Sequence, residues 1–306
     1  MIKPVLASSV WAWLLKHWNE EFHNSFPLSQ RLGNEKVIQA NPNYQGDVFT
    51  YELKGEVVGV LILKYYLRDD FPKNLYLSLL YVLPTKRHQG VGGQLLNFAI
   101  AYAKKHGFRK VITGSDPSCL FSGVFINHNP DVHAFFQKRH FTEVYKNMNL
   151  ICVNKPQTIH SKMIRIVASE AEKQAVLAMI KQHFSKRWWL DVRDAQWEEL
   201  IMMQDQGQVI GFLRLSHESF KQLANSMNLH QKYQHLGGIG PLGIIPFYRG
   251  RGLGKQIVQW ALNHLFQMGC SEVIVDWTGL VSFYQGCGFS HISQEYIIYQ
   301  YETEVG

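Results

Sequence analysis

Apolar and polar positions follow one order twice along the chain. In the first half, apolar residues dominate Val57–Lys64, directly after a glycine turn at Gly55. In the second half they dominate Val209–Leu215, directly after Gly207. An apolar run that follows a preceding strand across a short glycine turn is typical of a β-hairpin. The pattern therefore predicts a hairpin at the same place in each half.

A helical period follows further along each half. Apolar residues recur at the spacing of one helix face, and they are Leu95, Leu96, Ala99, Ile100 and Ala103 in the first half and Ile257, Val258, Ala261, Leu262, Leu265 and Phe266 in the second. This spacing predicts an amphipathic helix in each half. Each helix is expected to end at a glycine, Gly107 or Gly269, and a strand is expected next, at 110–113 or 272–277.

The residues between strand and helix repeat as R-x-x-G-x-G. The signature covers 87–92 and 249–254, and each copy follows an apolar run that ends in proline, Pro84 or Pro246. A glycine loop that opens a helix presents free backbone N–H groups, and these bind anions such as phosphate. Glycine also lets the ligand approach the backbone closely. The repeat predicts two phosphate-binding loops. A third glycine motif, G-x-G-x-x-G at 238–243, precedes strand and proline instead of a helix, so it does not predict a dinucleotide site.

The two copies align over most of the chain. The offset between the loops is 249 − 87 = 162 residues, whereas the later motifs F-F-Q-K-R-H-F and F-Y-Q-G-C-G-F are offset by 284 − 136 = 148. The first copy should therefore carry an insertion of fourteen residues around 115–129. We expect two domains, 1–153 and 163–306, joined by the polar linker 154–162, because a repeat this long exceeds a solenoid unit.

Composition adds few constraints. The chain has 306 residues, 46% of them apolar, and a net charge of +7 without a block of like charge. A solvated basic surface and attraction of a polyanionic ligand both explain this charge, and nucleic-acid binding is not predicted. Four cysteines without metal-ligand spacing favour a reduced cytoplasmic protein without a metal site. No apolar run is long enough to predict a membrane span.

Together, the loop after a strand, the helix, the next strand and the F-Y-x-x-x-G-F motif resemble the GNAT superfamily of acyl-CoA-dependent N-acyltransferases. Both halves carry the resemblance. It implies an α/β protein of two tandem GNAT-like domains, each with a mixed, mostly antiparallel central sheet flanked by helices. It also implies acetyl-CoA or another short acyl-CoA as co-substrate.

The resemblance also implies site residues. The loop amides would hold the CoA pyrophosphate, and the last strand residues would pair with the pantetheine arm. In the first copy these residues are Val82, Leu83, Arg87, His88, Gln89, Gly90, Val91 and Gly92. In the second copy they are Ile244, Ile245, Arg249, Gly250, Arg251, Gly252, Leu253 and Gly254.

Tyr284 stands where many family members carry the general acid that protonates the departing thiolate. A phenol suits that role because its pKa is about 10, although a packing role for a half-buried tyrosine is an open alternative. Phe136 stands at the matching position of the first copy and has no proton to donate. Many members carry an asparagine where the first copy has Asn129 and the second has Trp277. We therefore expect catalysis in the second copy.

Other candidates have two interpretations. Trp188, Trp189 and Trp197 could line a substrate pocket, but packing is favoured. Asp276 could orient an amine or form a turn. Glu198 and Glu199 are expected on a solvated face, and no general base is identified.

These observations predict an N-acetyltransferase that acts on a primary amine of a small molecule by direct attack. One alternative is a non-catalytic module that binds or senses acyl-CoA. Another is an aminoacyl-tRNA-dependent transferase, which the two CoA-type loops disfavour. The sequence predicts neither a nucleic-acid nor a membrane partner, and it leaves the acceptor, the acyl length and the oligomeric state open.

Overall fold

A computed structural model describes residues 1–126 and 130–303. The chain forms two compact units. The N-terminal unit contains residues 1–147 and the last segment of the chain from Gln294 onward, and the C-terminal unit contains residues 148–293. No helix in the described ranges is long and apolar enough to cross a membrane.

The N-terminal unit has a mixed sheet in the strand order β1-β2-β3-β4-β5-β13, in which only β4 and β5 pair in parallel. Its elements are β1 (Ile2–Val5), α1 (Ala7–Phe22), α2 (Gln30–Gly33), a π-helical turn (Asn34–Ile38), β2 (Tyr44–Leu53), β3 (Glu56–Tyr66), β4 (Asn74–Val82), a 3-10 turn (Pro84–Lys86), α3 (Val91–Lys105), β5 (Lys110–Thr113), β6 (Val124–Phe125), α4 (Pro130–Gln137), the start of β7 (Thr142–Cys152) and most of β13 (His291–Glu302).

The C-terminal unit repeats this plan in the strand order β7-β12-β11-β10-β9-β8, with β11 and β12 as its parallel pair. Its elements are the end of β7, β8 (Ile164–Ile166), α5 (Glu170–His183), α6 (Lys186–Arg193), a 3-10 turn (Trp197–Glu199), β9 (Leu200–Asp205), β10 (Gln208–His217), a 3-10 turn (Asn225–Leu229), β11 (Leu236–Ile244), a 3-10 turn (Pro246–Tyr248), α7 (Leu253–Gln267), β12 (Glu272–Thr278) and α8 (Val281–Gln285). The predicted fold class is confirmed.

The local predictions agree with these elements. The hairpin turns at Gly55 and Gly207 both have positive φ. Four of the five predicted apolar positions of α3 are buried, namely Leu95, Leu96, Ala99 and Ala103. Helices α3 and α7 are followed by Gly107 and Gly269, each in the left-handed conformation that ends a helix without steric cost to a side chain. The motif at 238–243 lies inside β11, so no helix follows it directly.

The last strand of each unit comes from the other half of the sequence. In the N-terminal unit, β13 pairs with β5, with Gln300 opposite Ile112 and Tyr301 opposite Val111. In the C-terminal unit, the end of β7 pairs with β12, with Ile151 opposite Ile274. Each sheet is thus completed by a strand that lies beyond the sequence repeat to which the rest of that unit belongs.

The predicted insertion lies between β5 and α4. A buried ion pair anchors it, because Lys64 Nζ on β3 lies 2.5 Å from an Asp116 carboxylate oxygen and both side chains are almost fully buried. Lys64 also donates to the Ser118 hydroxyl at 2.6 Å. The insertion then adds β6, whose Phe125 pairs with Tyr296 of β13.

Candidate functional site

Each glycine loop opens a helix through a glycine in the left-handed conformation. Gly90 precedes α3 with φ of 83°, and Gly252 precedes α7 with φ of 75°. The Gln94 amide donates to the Gly90 carbonyl at 3.0 Å, and the Gln256 amide donates to the Gly252 carbonyl at 3.1 Å. Helical bonding begins there, so the amides before these two residues are the ones that a helix leaves free for an anion.

Backbone conformation explains why the signature contains glycine at these positions. Gly250 and Gly252 both have positive φ, and a Cβ on either would project into open space. The left-handed conformation strains residues that carry a Cβ, which favours glycine at both positions. His88 takes the place of Gly250 in the first loop and adopts the same left-handed region, with φ of 59°.

The third glycine of each signature packs against an aromatic ring. A Cβ on Gly92 would stand 3.5 Å from the Phe135 ring, and one on Gly254 would stand 3.3 Å from the Phe283 ring. These rings belong to α4 and α8, so the aromatic motif and the loop contact each other directly. The glycine and the ring are 43 residues apart in the first unit, from 92 to 135, and 29 residues apart in the second, from 254 to 283. Folding brings them into contact.

The arginine of each signature holds its loop to the preceding strand. Arg87 Nε donates to the Val82 carbonyl at 3.0 Å, and Arg249 Nε donates to the Ile244 carbonyl at 2.8 Å. In the N-terminal unit the remaining guanidinium nitrogens of Arg87 donate to both carboxylate oxygens of Glu21 on α1, at 2.7 and 2.6 Å. Glu21 therefore partly neutralises a cation at the first loop.

Two parallel strands separate beside each loop. Pairing between β4 and β5 stops at Leu77 and Thr113, and pairing between β11 and β12 stops at Ile239 and Val275. Beyond these points, 79–82 stay paired with β3 and 242–244 with β10, and within the described ranges the ladders to β5 and β12 do not continue. One edge of each strand is left for an extended ligand, which is the geometry of strand addition.

We call the gap where each pair of parallel strands separates an opening. All sixteen predicted binding residues lie at these two openings or in the glycine loops that follow them. Val82 and Ile244 end their strands and are buried, and Leu83 and Ile245 donate to Val58 and Ile210 carbonyls at 3.0 and 2.9 Å. The loop residues are Arg87, His88, Gln89, Gly90, Val91 and Gly92 in the first unit and Arg249, Gly250, Arg251, Gly252, Leu253 and Gly254 in the second. Their contact with CoA remains a prediction.

A cavity of about 550 Å³ lies at the opening of the N-terminal unit. Gly90 and Gly92 of the loop, Ser78 of β4 and Phe136 of α4 are among the residues that line it. Arg139 also lines it, with a guanidinium nitrogen 2.9 Å from where a Cβ on Gly93 would stand. Sequence reasoning missed Arg139 as a loop cation, although it lies inside the F-F-Q-K-R-H-F motif.

Tyr284 lies on α8 and is 6% exposed. Its ring packs edge-on against Phe283 and Phe289, with centroids 4.9 and 5.5 Å apart. Burial raises the pKa of Tyr284 above its ordinary value, and the nearby Cys287 and Asp276 raise it further. The phenol therefore stays protonated at neutral pH, as a proton donor must. Phe136 is equally buried, and its ring stacks on Tyr299 at 5.5 Å.

Asp276 and Trp277 lie where β12 leaves β11. An Asp276 carboxylate oxygen is 3.6 Å from where a Cβ on Gly240 would stand, so this carboxylate borders the opening. Trp277 has φ of 45°, its amide donates to the Asn149 side chain at 3.0 Å, and the Arg187 guanidinium lies 4.2 Å from its ring. Sequence reasoning singled out neither Asn149 nor Arg187. Asn129 lies outside the described residues.

One expectation about the carboxylates is wrong. Glu199 does not lie on a solvated face, because it is 2% exposed and accepts from Arg214 at 2.7 and 3.1 Å. The arginine is fifteen residues away on β10, and this partner was not visible in the local pattern. Glu198 is exposed. Trp188 and Trp189 pack against the core of their unit, whereas Trp197 is 43% exposed.

The paired loops, openings and aromatic motifs define a protein with two copies of one glycine-loop site. A model of the acetyltransferase (GNAT) family matches residues 9–141 and 166–289. The chain belongs to this family.

Solved structures share the fold across nearly the whole chain. The glucosamine N-acetyltransferase region of a fungal multi-domain GH3 β-N-acetylglucosaminidase is 22% identical, with a TM-score of 0.83 over 98% of this chain and 38% of that one. A tandem GNAT protein from the clavulanic acid biosynthesis pathway is 15% identical, with a TM-score of 0.69 over 100% and 99% of the two chains. At these identities the likeness shows the fold alone.

One curated relative matches part of the chain. It is the uncharacterized N-acetyltransferase YjhQ of Escherichia coli (strain K12), which is 28% identical over 89 residues. This match covers 29% of the chain and 44% of the relative, so the chain spans less than half the length of that protein.

Proposed function

We propose that this protein transfers an acetyl or short acyl group from acyl-CoA to a primary amine of a small molecule, in the C-terminal unit. The observation that carries the proposal is the difference between two otherwise equivalent sites. Both units have the loop and the separated strands, but at the matched position of the aromatic motif the second has a phenol, Tyr284, where the first has Phe136. The family relationship supports acyl transfer in general.

The C-terminal unit supplies the parts that such a reaction needs. The amides from Gly250 to Gly254 would bind the pyrophosphate, and the free edge of 240–244 would align the pantetheine arm. The amine attacks the thioester carbonyl, oriented backbone donors stabilise the oxyanion, and the C–S bond breaks. The departing thiolate takes the proton of Tyr284, and the attacking nitrogen releases its extra proton to solvent water. The Tyr284 phenolate is reprotonated from water, which leaves the amide, the CoA thiol and the original phenol. Asp276, at the border of the opening, would orient the amine.

The test is Tyr284→Phe, which keeps the ring and removes only the hydroxyl. General acid catalysis contributes about 10²–10⁴-fold, so we expect kcat to fall by about 10² with little change in acetyl-CoA affinity. Phe136→Leu in the other unit is the matched control, and it should leave kcat unchanged. Donors with more basic leaving thiols should suffer most from the loss of the hydroxyl. A Tyr284→Phe enzyme with full kcat, where chemistry limits turnover, removes Tyr284 from the mechanism.

A binding or sensing role for the N-terminal unit is a second candidate, and its cavity supports it. The cavity is lined by loop residues and by Phe136, which cannot protonate a thiolate. Calorimetry with acetyl-CoA and a panel of amines separates the two roles. Binding without turnover in the intact protein would favour the sensor.

A cytoplasmic location is a further part of the proposal. Cys119, Cys152, Cys270 and Cys287 are all buried free thiols. Free thiols are typical of proteins in a reducing compartment.

A further inference from the structure

The lining of the N-terminal cavity combines polar groups with a set of aromatic rings. At the loop lie the glycine amides with Arg87 and Arg139, which suit a pyrophosphate. An aromatic wall also lines the cavity, formed by Trp18 and Phe22 of α1 and Phe121 and Phe125 of the insertion. Trp18 and Phe22 also contact the Tyr81 ring, which lies below the Arg87 guanidinium. The acidic side chains of Glu21 and Asp131 line the cavity as well.

These rings form a continuous aromatic surface. Trp18 lies 4.5 Å from Phe22 and 5.2 Å from Phe121, and Phe121 lies 5.6 Å from Phe125, all between ring centroids. Each pair is tilted or edge-on, an arrangement that fixes both partners. The four rings therefore form one wall of the cavity, because each ring is held by contact with a neighbouring ring.

The insertion that supplies half of this wall is itself fixed. The Leu120 amide donates to Asp116 at 3.0 Å, and Asp116 is paired with the buried Lys64. The C-terminal unit has no such segment, since only residues 279 and 280 separate β12 from α8. Its opening is bordered by the Asp276 carboxylate instead. The aromatic wall supplied by the insertion is thus a feature of the N-terminal unit that the C-terminal unit does not share in the described residues.

Along β4, the cavity offers a path for the extended pantetheine arm of CoA. The free edge of 78–82 runs from the separation point to the loop. Near that point Phe136 provides no acidic proton, and the Ser78 hydroxyl is buried without a hydrogen-bond partner among the described residues. A thioester carbonyl that reached this point would find a hydrogen-bond donor in the Ser78 hydroxyl.

We propose that the N-terminal unit binds acyl-CoA whose acyl group is an apolar chain longer than acetyl, in the range of butyryl to octanoyl. The chain lies against the aromatic wall of Trp18, Phe22, Phe121 and Phe125, and the pyrophosphate lies at the first loop. This inference rests on the proposed function for the role of the loop, and adds the ligand class of the N-terminal site.

The experiment is calorimetric titration with CoA, acetyl-CoA, butyryl-CoA and hexanoyl-CoA. The Gly252→Val protein leaves the first loop intact, and the matched Gly90→Val protein leaves only the second. Each buried methylene contributes up to roughly fourfold in affinity. We therefore expect hexanoyl-CoA to bind Gly252→Val at least about tenfold tighter than acetyl-CoA, and Gly90→Val to show no such gain.

Each outcome has a separate meaning. If CoA itself does not bind Gly252→Val, the first loop is not a CoA site and the proposed function loses that part. If CoA binds but affinity is flat from acetyl to hexanoyl, the loop assignment stands and the acyl pocket is refuted. A flat series with saturable binding of an aromatic amine would show that the wall holds an acceptor, which also overturns the inference.

A second pair of variants locates the chain. Phe22→Ser and Phe125→Ser, each in the Gly252→Val background, should lose most of the hexanoyl gain while keeping CoA affinity. Unchanged CoA affinity also shows that the unit has stayed folded. A full hexanoyl gain in both variants would place the chain elsewhere and refute the assignment.

Discussion

Cutting the chain between residues 153 and 154 should leave two fragments that do not fold alone, although the cut respects the sequence repeat. The N-terminal fragment loses β13, whose Tyr296, Ile297 and Tyr299 are at most 6% exposed. Burying three such side chains stabilises a protein by about 5–9 kcal/mol. A domain of this size has a free energy of unfolding of only about 5–15 kcal/mol, so losing these buried side chains removes most of its stability.

The loss of hydrogen bonds between β5 and β13 destabilises fragment 1–153 further. Without β13, strand β5 becomes an edge strand, and Thr113 loses the Tyr299 amide that donates to its hydroxyl at 2.9 Å. An exposed edge next to uncovered apolar side chains favours aggregation. The C-terminal fragment loses the end of β7 in the same way, including the fully buried Leu150 and Cys152.

The assay compares fragment 1–153 with a chain in which 1–147 is joined through a flexible glycine-serine linker to 294–303. We expect the grafted chain to melt cooperatively by far-ultraviolet circular dichroism, and fragment 1–153 to aggregate or melt without a transition. A synthetic peptide of residues 291–303, added to fragment 1–153, should restore part of the transition. The reasoning is refuted if fragment 1–153 melts cooperatively at the same temperature as the grafted chain.

Three other measurements test the charges of the two units. Glu21→Gln should tighten CoA binding at the first loop several-fold, because the Arg87 guanidinium is no longer neutralised; equal or weaker binding by calorimetry contradicts this. Lys64→Met leaves the Asp116 carboxylate buried without its cation and should destabilise the protein by about 3–5 kcal/mol; an unchanged denaturation midpoint would show that the pair is dispensable. Because burial raises the pKa of Tyr284 above its ordinary value of 10.0, kcat should show no loss from phenol ionisation up to about pH 10. A fall with an apparent pKa near 9 that disappears in Tyr284→Phe would argue against this assignment.

The local features of both units could be predicted from the sequence. Turns at Gly55 and Gly207, the two glycine loops and the helices after them depend on neighbouring residues, because periodicity and glycine conformation act over a few positions. The insertion also followed from the change of offset. The family resemblance then indicated the fold, and the family match supports it.

Tertiary structure alone decided which strand completes each sheet and which charges meet. Continuous apolar runs at 150–152 in β7 and 296–299 in β13 are consistent with buried strands, but the pattern is the same whichever sheet the strand joins. Likewise, Glu21 meets Arg87 across sixty-six residues, and Glu199 is buried only because Arg214 arrives from β10. Strand partners and ion pairs of this kind depend on long-range packing, which a local pattern does not encode.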